Sequence, residues 1–274
     1  MKLGCVIAAQ DVGYGALTVL SGSFEEKLAK AKALGYQGVE LMVRDASKLR
    51  AEDIKEALSR HGLEMPQVVT GEVFGTEGLA LVHPDPAIEQ AAMRRAQDIV
   101  RLAGALERGT MVNVGRLRGR LDWFGPDGAA TARARIVKAI GALSDYANPF
   151  GVRITLEPLN RFEGDFVNTC REGIELVAEI GRANFGLMLD VFHMNIEDAS
   201  IEGAFHEARS VLWHVHIADS NRLPPGHGHL DFESIATALR HSGYDGYLSA
   251  EVRPLPDPDT AARLTIQHMR PRMA

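Results

Sequence analysis

The sequence predicts a single (β/α)8 TIM barrel, and three observations predict it. Strand-like apolar runs alternate with helix-like runs from residue 2 to near residue 269. A chain of 274 residues is the right length for eight such pairs. Four of the later strands each close on a carboxylate or an imidazole, the end at which parallel barrels carry their reactive groups. No linker-like break or low-complexity tract interrupts the pattern, so one domain over 1–274 is expected.

Residues 2–8 read as the first strand. A helix over 24–34 has Ser23 to cap it and Gly35 to stop it. Strand two covers 38–43, and a helix over 52–60 ends before Gly62. Strand three covers 65–70, followed by a Gly-rich loop (71–81) and a long helix (86–106). Strand four covers 110–114; the loop 116–127 carries Arg116, Arg118 and Arg120, and a helix spans 129–146. Strand five ends at Glu157, and a loop over 158–169 leads to a helix over 172–180. Strand six ends at Asp190, with a short helix near 201–208. Strand seven ends near Ile217, with a helix over 232–240; strand eight ends at Glu251 and the last helix covers 258–269. Helices of this length between strands imply parallel βαβ units. The other arrangement is an open doubly wound sheet. The turn from Gly13 to Thr18 begins like GxGxxG, but Thr18 stands where the third glycine belongs, and there is no P-loop.

The four strand ends carry the chemistry. Side chains alternate faces along a strand, so Glu157 lies opposite Ile154 and Leu156. By the same count Asp190 opposes Leu187 and Leu189, His216 opposes Val215 and Ile217, and Glu251 opposes Leu248 and Ala250. The aliphatic stripes belong against helices, and the ligand-type groups then converge inside the mouth. Three carboxylates and one imidazole suit a hard-to-borderline divalent ion such as Mg2+, Mn2+ or Co2+. Two cysteines cannot build a four-Cys zinc site. Plainer readings apply too: Asp190 and Asp219 as caps of the following loops or helices, His214 as a hydrogen-bonded core residue, and Glu72, His227 and His229 as loop residues.

Composition excludes other classes. A formal net charge of −6 argues against nucleic acid, whose phosphates need a basic face. Cys5 and Cys170 form no CxxC motif and read as reduced thiols of a cytoplasmic protein. The opening MKLGCVIAAQ is too short for a signal h-region, and no stretch approaches a transmembrane helix, so no membrane partner is expected.

The stretches LEPLNRFEGDFVNT (156–169), LDVFHMNIED (189–198), HVHIADSNRLPPGHGHLDF (214–232) and LSAEVRP (248–254) resemble the xylose-isomerase-like barrel superfamily of sugar isomerases and epimerases. The resemblance covers essentially the whole chain and points to its ketose 3-epimerase branch. It implies an isomerase of carbohydrate metabolism that inverts the carbon next to a ketone through a metal-stabilised enediolate. It implies Glu157, Asp190, His216 and Glu251 as ligands of a divalent metal ion (Mn2+, Mg2+ or Co2+), with Glu157 and Glu251 also the acid/base pair. It implies Glu163, His193 and Arg222 as substrate contacts, a small-molecule keto sugar or keto sugar acid as partner, and a homodimer or homotetramer.

Further stretches, MKLGCVIAAQDVGYGAL, GYQGVELMVRD (35–45) and GRLRGR (115–120), are most similar to 5-keto-L-gluconate epimerases. That implies conversion of 5-keto-L-gluconate to D-tagaturonate. A D-tagatose/D-psicose-type 3-epimerase or a hydroxypyruvate-isomerase-like aldose–ketose isomerase would share the same metal and enediolate. A keto sugar acid calls for a bidentate arginine, and Arg44 and Arg118 are the candidates, although either alone also reads as a solvated loop charge. A DNA-repair endonuclease on the same barrel would need a richer metal cluster and a basic face. A non-catalytic sugar-binding barrel would not need an intact acid/base pair.

Overall fold

Strand order around the sheet follows chain order, and the last strand pairs back onto the first. The computed structural model describes residues 1–12 and 17–273, so most of the turn from Gly13 to Thr18 considered above lies outside the described residues. The strands are β1 (Lys2–Ala8), β2 (Gly38–Met42), β3 (Gln67–Val69), β4 (Met111–Val114), β5 (Arg153–Leu156), β6 (Phe185–Asp190), β7 (Leu212–Ile217) and β8 (Tyr247–Ala250). They form a closed barrel. Every adjacent pair is parallel, and β8 closes on β1 with Leu3 opposite Leu248.

The barrel closes because each strand has two buried faces with different contents. Val39, Leu41, Ile154, Leu156, Leu187, Leu189 and Val215 are buried in the apolar layer under the helices. Their neighbours in sequence, Glu40, Thr155, His214 and His216, are buried polar residues. Fully burying one such leucine stabilises by roughly 1.5–3 kcal/mol, so a register slip of one residue is strongly disfavoured.

The helices α1 (Phe24–Leu34), α2 (Ala51–His61), α3 (Gly71–Glu77), α4 (Pro86–Leu106) and α5 (Gly125–Ala147) follow the first four strands. After them come α6 (Cys170–Ile180), α7 (Val191–Glu197), α8 (Ile201–Ala208), α9 (Phe232–His241) and α10 (Pro258–Met269). Ser23 and Glu26 make a capping box at the start of α1, and Gly35 ends it in the left-handed region at φ 90°.

Three elements differ from the sequence expectation. The segment expected as a Gly-rich loop holds α3, which buries Val73 and stops at Gly78 (φ 65°). Helix α5 starts at Gly125, four residues early, with Pro126 in its first turn, where a missing N–H costs nothing. An unexpected helix, α7, follows Asp190 directly, because the Asp190 carboxylate accepts the Phe192 N–H at 2.9 Å. Asp190 is therefore a helix cap as well as a candidate strand-end ligand. Among the described residues, no helix is long and apolar enough to cross a membrane.

Candidate metal centre and active site

Glu157 directly follows β5, Asp190 ends β6, His216 lies one residue before the end of β7, and Glu251 directly follows β8. All four are nearly inaccessible, at 5%, 1%, 0% and 8% exposure. One ligand atom from each lies within 4.8 Å of the others. Three carboxylates this close repel one another strongly in a buried site. One cation balances part of that charge: the Arg222 guanidinium donates Nη1–H to Asp190 and Nη2–H to Glu251. Arg222 is buried with its guanidinium 4.6 Å above the Phe192 ring. Its backbone sits at φ 64°, a conformation a non-glycine residue keeps only where its surroundings impose it. Here the tight turn from Asp219 imposes it: Arg222 N–H donates to Asp219 O, and Asp219 N–H to Leu223 O, both at 2.8 Å.

The donor set fits a metal ion. Glu157 Oε1 and His216 Nδ1 are buried without a hydrogen-bond partner among the described residues. His216 Nδ1 lies 3.6 Å from Glu251 Oε2. Buried polar atoms without a partner are costly unless something binds them, and three carboxylates with one imidazole match a divalent cation.

The two glutamates differ in proton affinity. Burial, then the charge of Glu251, pushes Glu157 up to about 8. Burial acts upward on Glu251 as well, but His216 and Arg222 outweigh it and hold that carboxyl below its ordinary value. The two carboxyls thus differ in proton affinity, as the members of an acid/base pair do. His193 is held well below its ordinary value by burial and then by the cations Arg222 and Arg118, so its imidazole is neutral. Its Nδ1 faces the Asn160 backbone N–H at 3.2 Å and must accept. The ring proton is therefore on Nε2, 3.6 Å from Glu157 Oε1.

Glu157, Glu251, Glu163, His193 and Arg222 line one cavity at the barrel mouth. Asp190 is tied to its wall through Arg222. Asn160 Nδ2 donates to Glu163 Oε1 at 3.1 Å and turns that carboxylate into position.

Arg44 and Arg118 are not part of this wall. Arg44 lies beside Glu77, with Nε 3.7 Å from its Oε1. Arg118 is 1% exposed, and its guanidinium donates to the carbonyls of Gly115, Glu157, Phe166 and Val167 at 2.7–3.2 Å. Burial pushes it down to about 10, and its donors are committed to backbone, so it ties two loops together in place of binding a substrate carboxylate. The arginine that lines the cavity besides Arg222 is Arg116. It sits on the same 3-10 turn, with its guanidinium 5.5 Å above Phe74.

Asn113, Glu72, Leu17 and Met42 are also part of the wall. Asn113 donates to Glu157 Oε2 at 3.1 Å. Gly115 lets the chain pass that carboxylate: a Cβ there would lie 3.3 Å from Glu157 Oε2. The signal for Asn113 was available in sequence, as a polar residue between two valines in a buried strand. Arg116 had no such signal, because an irregular turn has no period.

The xylose isomerase-like TIM barrel family model matches residues 28–272. A D-psicose 3-epimerase of Enterocloster bolteae is 32% identical over 81% of this chain and 74% of its own length. A 3-dehydro-D-guloside 4-epimerase of Escherichia coli is 30% identical over 89% of this chain and 93% of its own. A crystal structure of a D-psicose 3-epimerase determined in the presence of D-fructose superposes with a TM-score of 0.82 at 25% identity, covering 100% of this chain and 99% of that one.

Proposed function

This chain belongs to the xylose isomerase-like TIM barrel family, in its ketose 3-epimerase branch, and we propose that it inverts the carbon next to the ketone of a keto sugar acid, with 5-keto-L-gluconate and D-tagaturonate as the pair. It is a sugar epimerase. The observation that carries the C3 chemistry is the pair Glu157 and Glu251, on one cavity wall with opposite proton affinities. One of the two takes the proton from the carbon next to the ketone while the other returns one from the opposite side, and the roles exchange in the reverse direction. Glu157, Asp190, His216 and Glu251 would hold the divalent cation (Mn2+, Mg2+ or Co2+), whose charge when bound favours the enediolate. His193 presents Nε2–H and Arg222 its guanidinium to oxygens that gain negative charge. Glu163 accepts from a sugar hydroxyl.

What supports an acid substrate is Arg116, the cavity arginine beyond the Glu157–Glu251 pair. A planar guanidinium resting on Phe74 is suited to a carboxylate. The 3-epimerase relatives named for D-psicose favour a neutral ketohexose as the second reading. Parallel turnover assays with 5-keto-L-gluconate, D-tagatose and D-psicose decide between them. The acid reading predicts the highest kcat/KM on the keto acid, lost selectively in Arg116→Gln. Equal or faster turnover of a ketohexose, unchanged in Arg116→Gln, would make the protein a neutral-ketose 3-epimerase.

A further inference from the structure

Glu40 lies in the middle of β2, inside the barrel and fully buried. Its Oε1 faces His214 Nε2 at 2.5 Å, and its Oε2 faces His216 Nε2 at 3.0 Å. Gln67 Nε2 also donates to Oε2, at 3.0 Å. A carboxylate oxygen accepts; Oε2 already takes the Gln67 N–H, and both imidazoles face the group through Nε2, so each presents an N–H there. For His216 this leaves Nδ1 as the free nitrogen, and Nδ1 is the atom turned toward Glu251 and left without a partner.

Glu40 is itself held in place. Gln67 Oε1 accepts from Thr155 Oγ1 at 2.8 Å, which fixes the amide so that its NH2 faces Glu40. His214 takes the other carboxylate oxygen, so the group cannot rotate away from His216. Glu40, His214 and His216 stand close enough to suggest a second ion site. The 2.5 Å between Glu40 and His214 is a hydrogen-bond distance, however. Two donors each about 2.1 Å from one ion stand about 3 Å apart or more.

We infer that Glu40 is a positioning residue: it fixes His216 in the tautomer that offers Nδ1, and so sets the affinity of the four-residue cluster for its divalent cation. This rests on the reading that Glu157, Asp190, His216 and Glu251 hold that cation. A carboxylate behind a ligating imidazole orients the ring and raises its basicity.

The test is calorimetric titration of Mn2+ into metal-stripped protein, unaltered and Glu40→Gln, with thermal unfolding of both in the absence of metal. The expected result is Mn2+ affinity weakened roughly 10- to 100-fold, with most of kcat recovered at saturating Mn2+. An unchanged Mn2+ affinity in a variant that is merely less stable would overturn the role of Glu40. The unaltered protein supplies a second readout that needs no variant. With Mg2+ bound, 15N NMR should show His216 protonated at Nε2, and a ring protonated at Nδ1 would overturn the inference. Failure of the unaltered protein to bind any of Mn2+, Mg2+ or Co2+ would overturn the metal reading, and this inference with it.

Discussion

In the second half of the barrel the candidate functional side chains stand at the last strand positions or just beyond them; in the first half Glu40 and Asn113 stand inside the strands. Glu157 and Glu251 come one residue after β5 and β8, and Asp190 is the last residue of β6. Glu40 is the central residue of β2, and Asn113 lies within β4. A side chain at the strand end reaches the cavity and can touch a ligand. One inside the barrel is sealed among other strands, so its polar atoms must be satisfied by each other. The chain from Thr155 through Gln67 and Glu40 to the two imidazoles does this. On the proposed function the second half supplies the reacting groups, and the first half supplies support and one wall.

The largest effect that tests this division comes from the acid/base pair. Glu251→Gln keeps the shape but loses one carboxylate of the pair, and kcat should fall roughly 10²–10⁴-fold at saturating metal. A comparable loss in Glu40→Gln at saturating metal would break the comparison, because a support residue would then act in the chemical step.

Next in size is Arg118→Met. It removes the guanidinium from four carbonyls, of which, among the described residues, Gly115 O and Val167 O keep a backbone N–H and Glu157 O and Phe166 O do not, and should lower stability by roughly 3 kcal/mol. The ratio of kcat/KM for keto acid over ketohexose should not move. Intact thermal stability with that ratio lost would return Arg118 to the substrate.

The smallest effect belongs to a second-half carboxylate outside the cluster. Asp198 caps the end of α7, accepts the Cys170 N–H at 3.0 Å, and is pushed up to about 6, chiefly by burial. Its folded value lies above its ordinary 3.8, so the folded state holds the proton more tightly and loses stability as pH rises from about 4 to about 6. Asp198→Asn should therefore raise the melting temperature at pH 7 and leave it unchanged below pH 4. The group is partly solvated, so the gain is about 1 kcal/mol or less. A gain that persists at pH 3.5 would show that charge is not its source.

The same division governs what could be read from the sequence. The eight strands and the four strand-end residues that cluster at the mouth were legible because alternation is regular and each of the four stands opposite an aliphatic stripe at a loop boundary. Glu40 carried the same signal, a carboxylate between Val39 and Leu41, but without a following loop it did not read as functional. Arg116 and Arg118 were not separable, because two residues on one 3-10 turn point in unrelated directions. Helix α7 was missed because its cap, Asp190, was already assigned as a ligand. Helix α3 was missed because its two glycines disfavour helix locally, while the burial of Val73 that holds it is tertiary.

The central claim is that Glu157 and Glu251 exchange the proton on the carbon next to the ketone. Proton NMR in D2O tests it most directly, with metal-loaded protein and 5-keto-L-gluconate, D-tagatose and D-psicose in parallel. The account predicts deuterium entering C3 (ketose numbering) together with the new epimer, and neither in Glu157→Gln or Glu251→Gln. Deuterium at C1 in place of C3, or exchange that survives loss of both carboxylates, would contradict it.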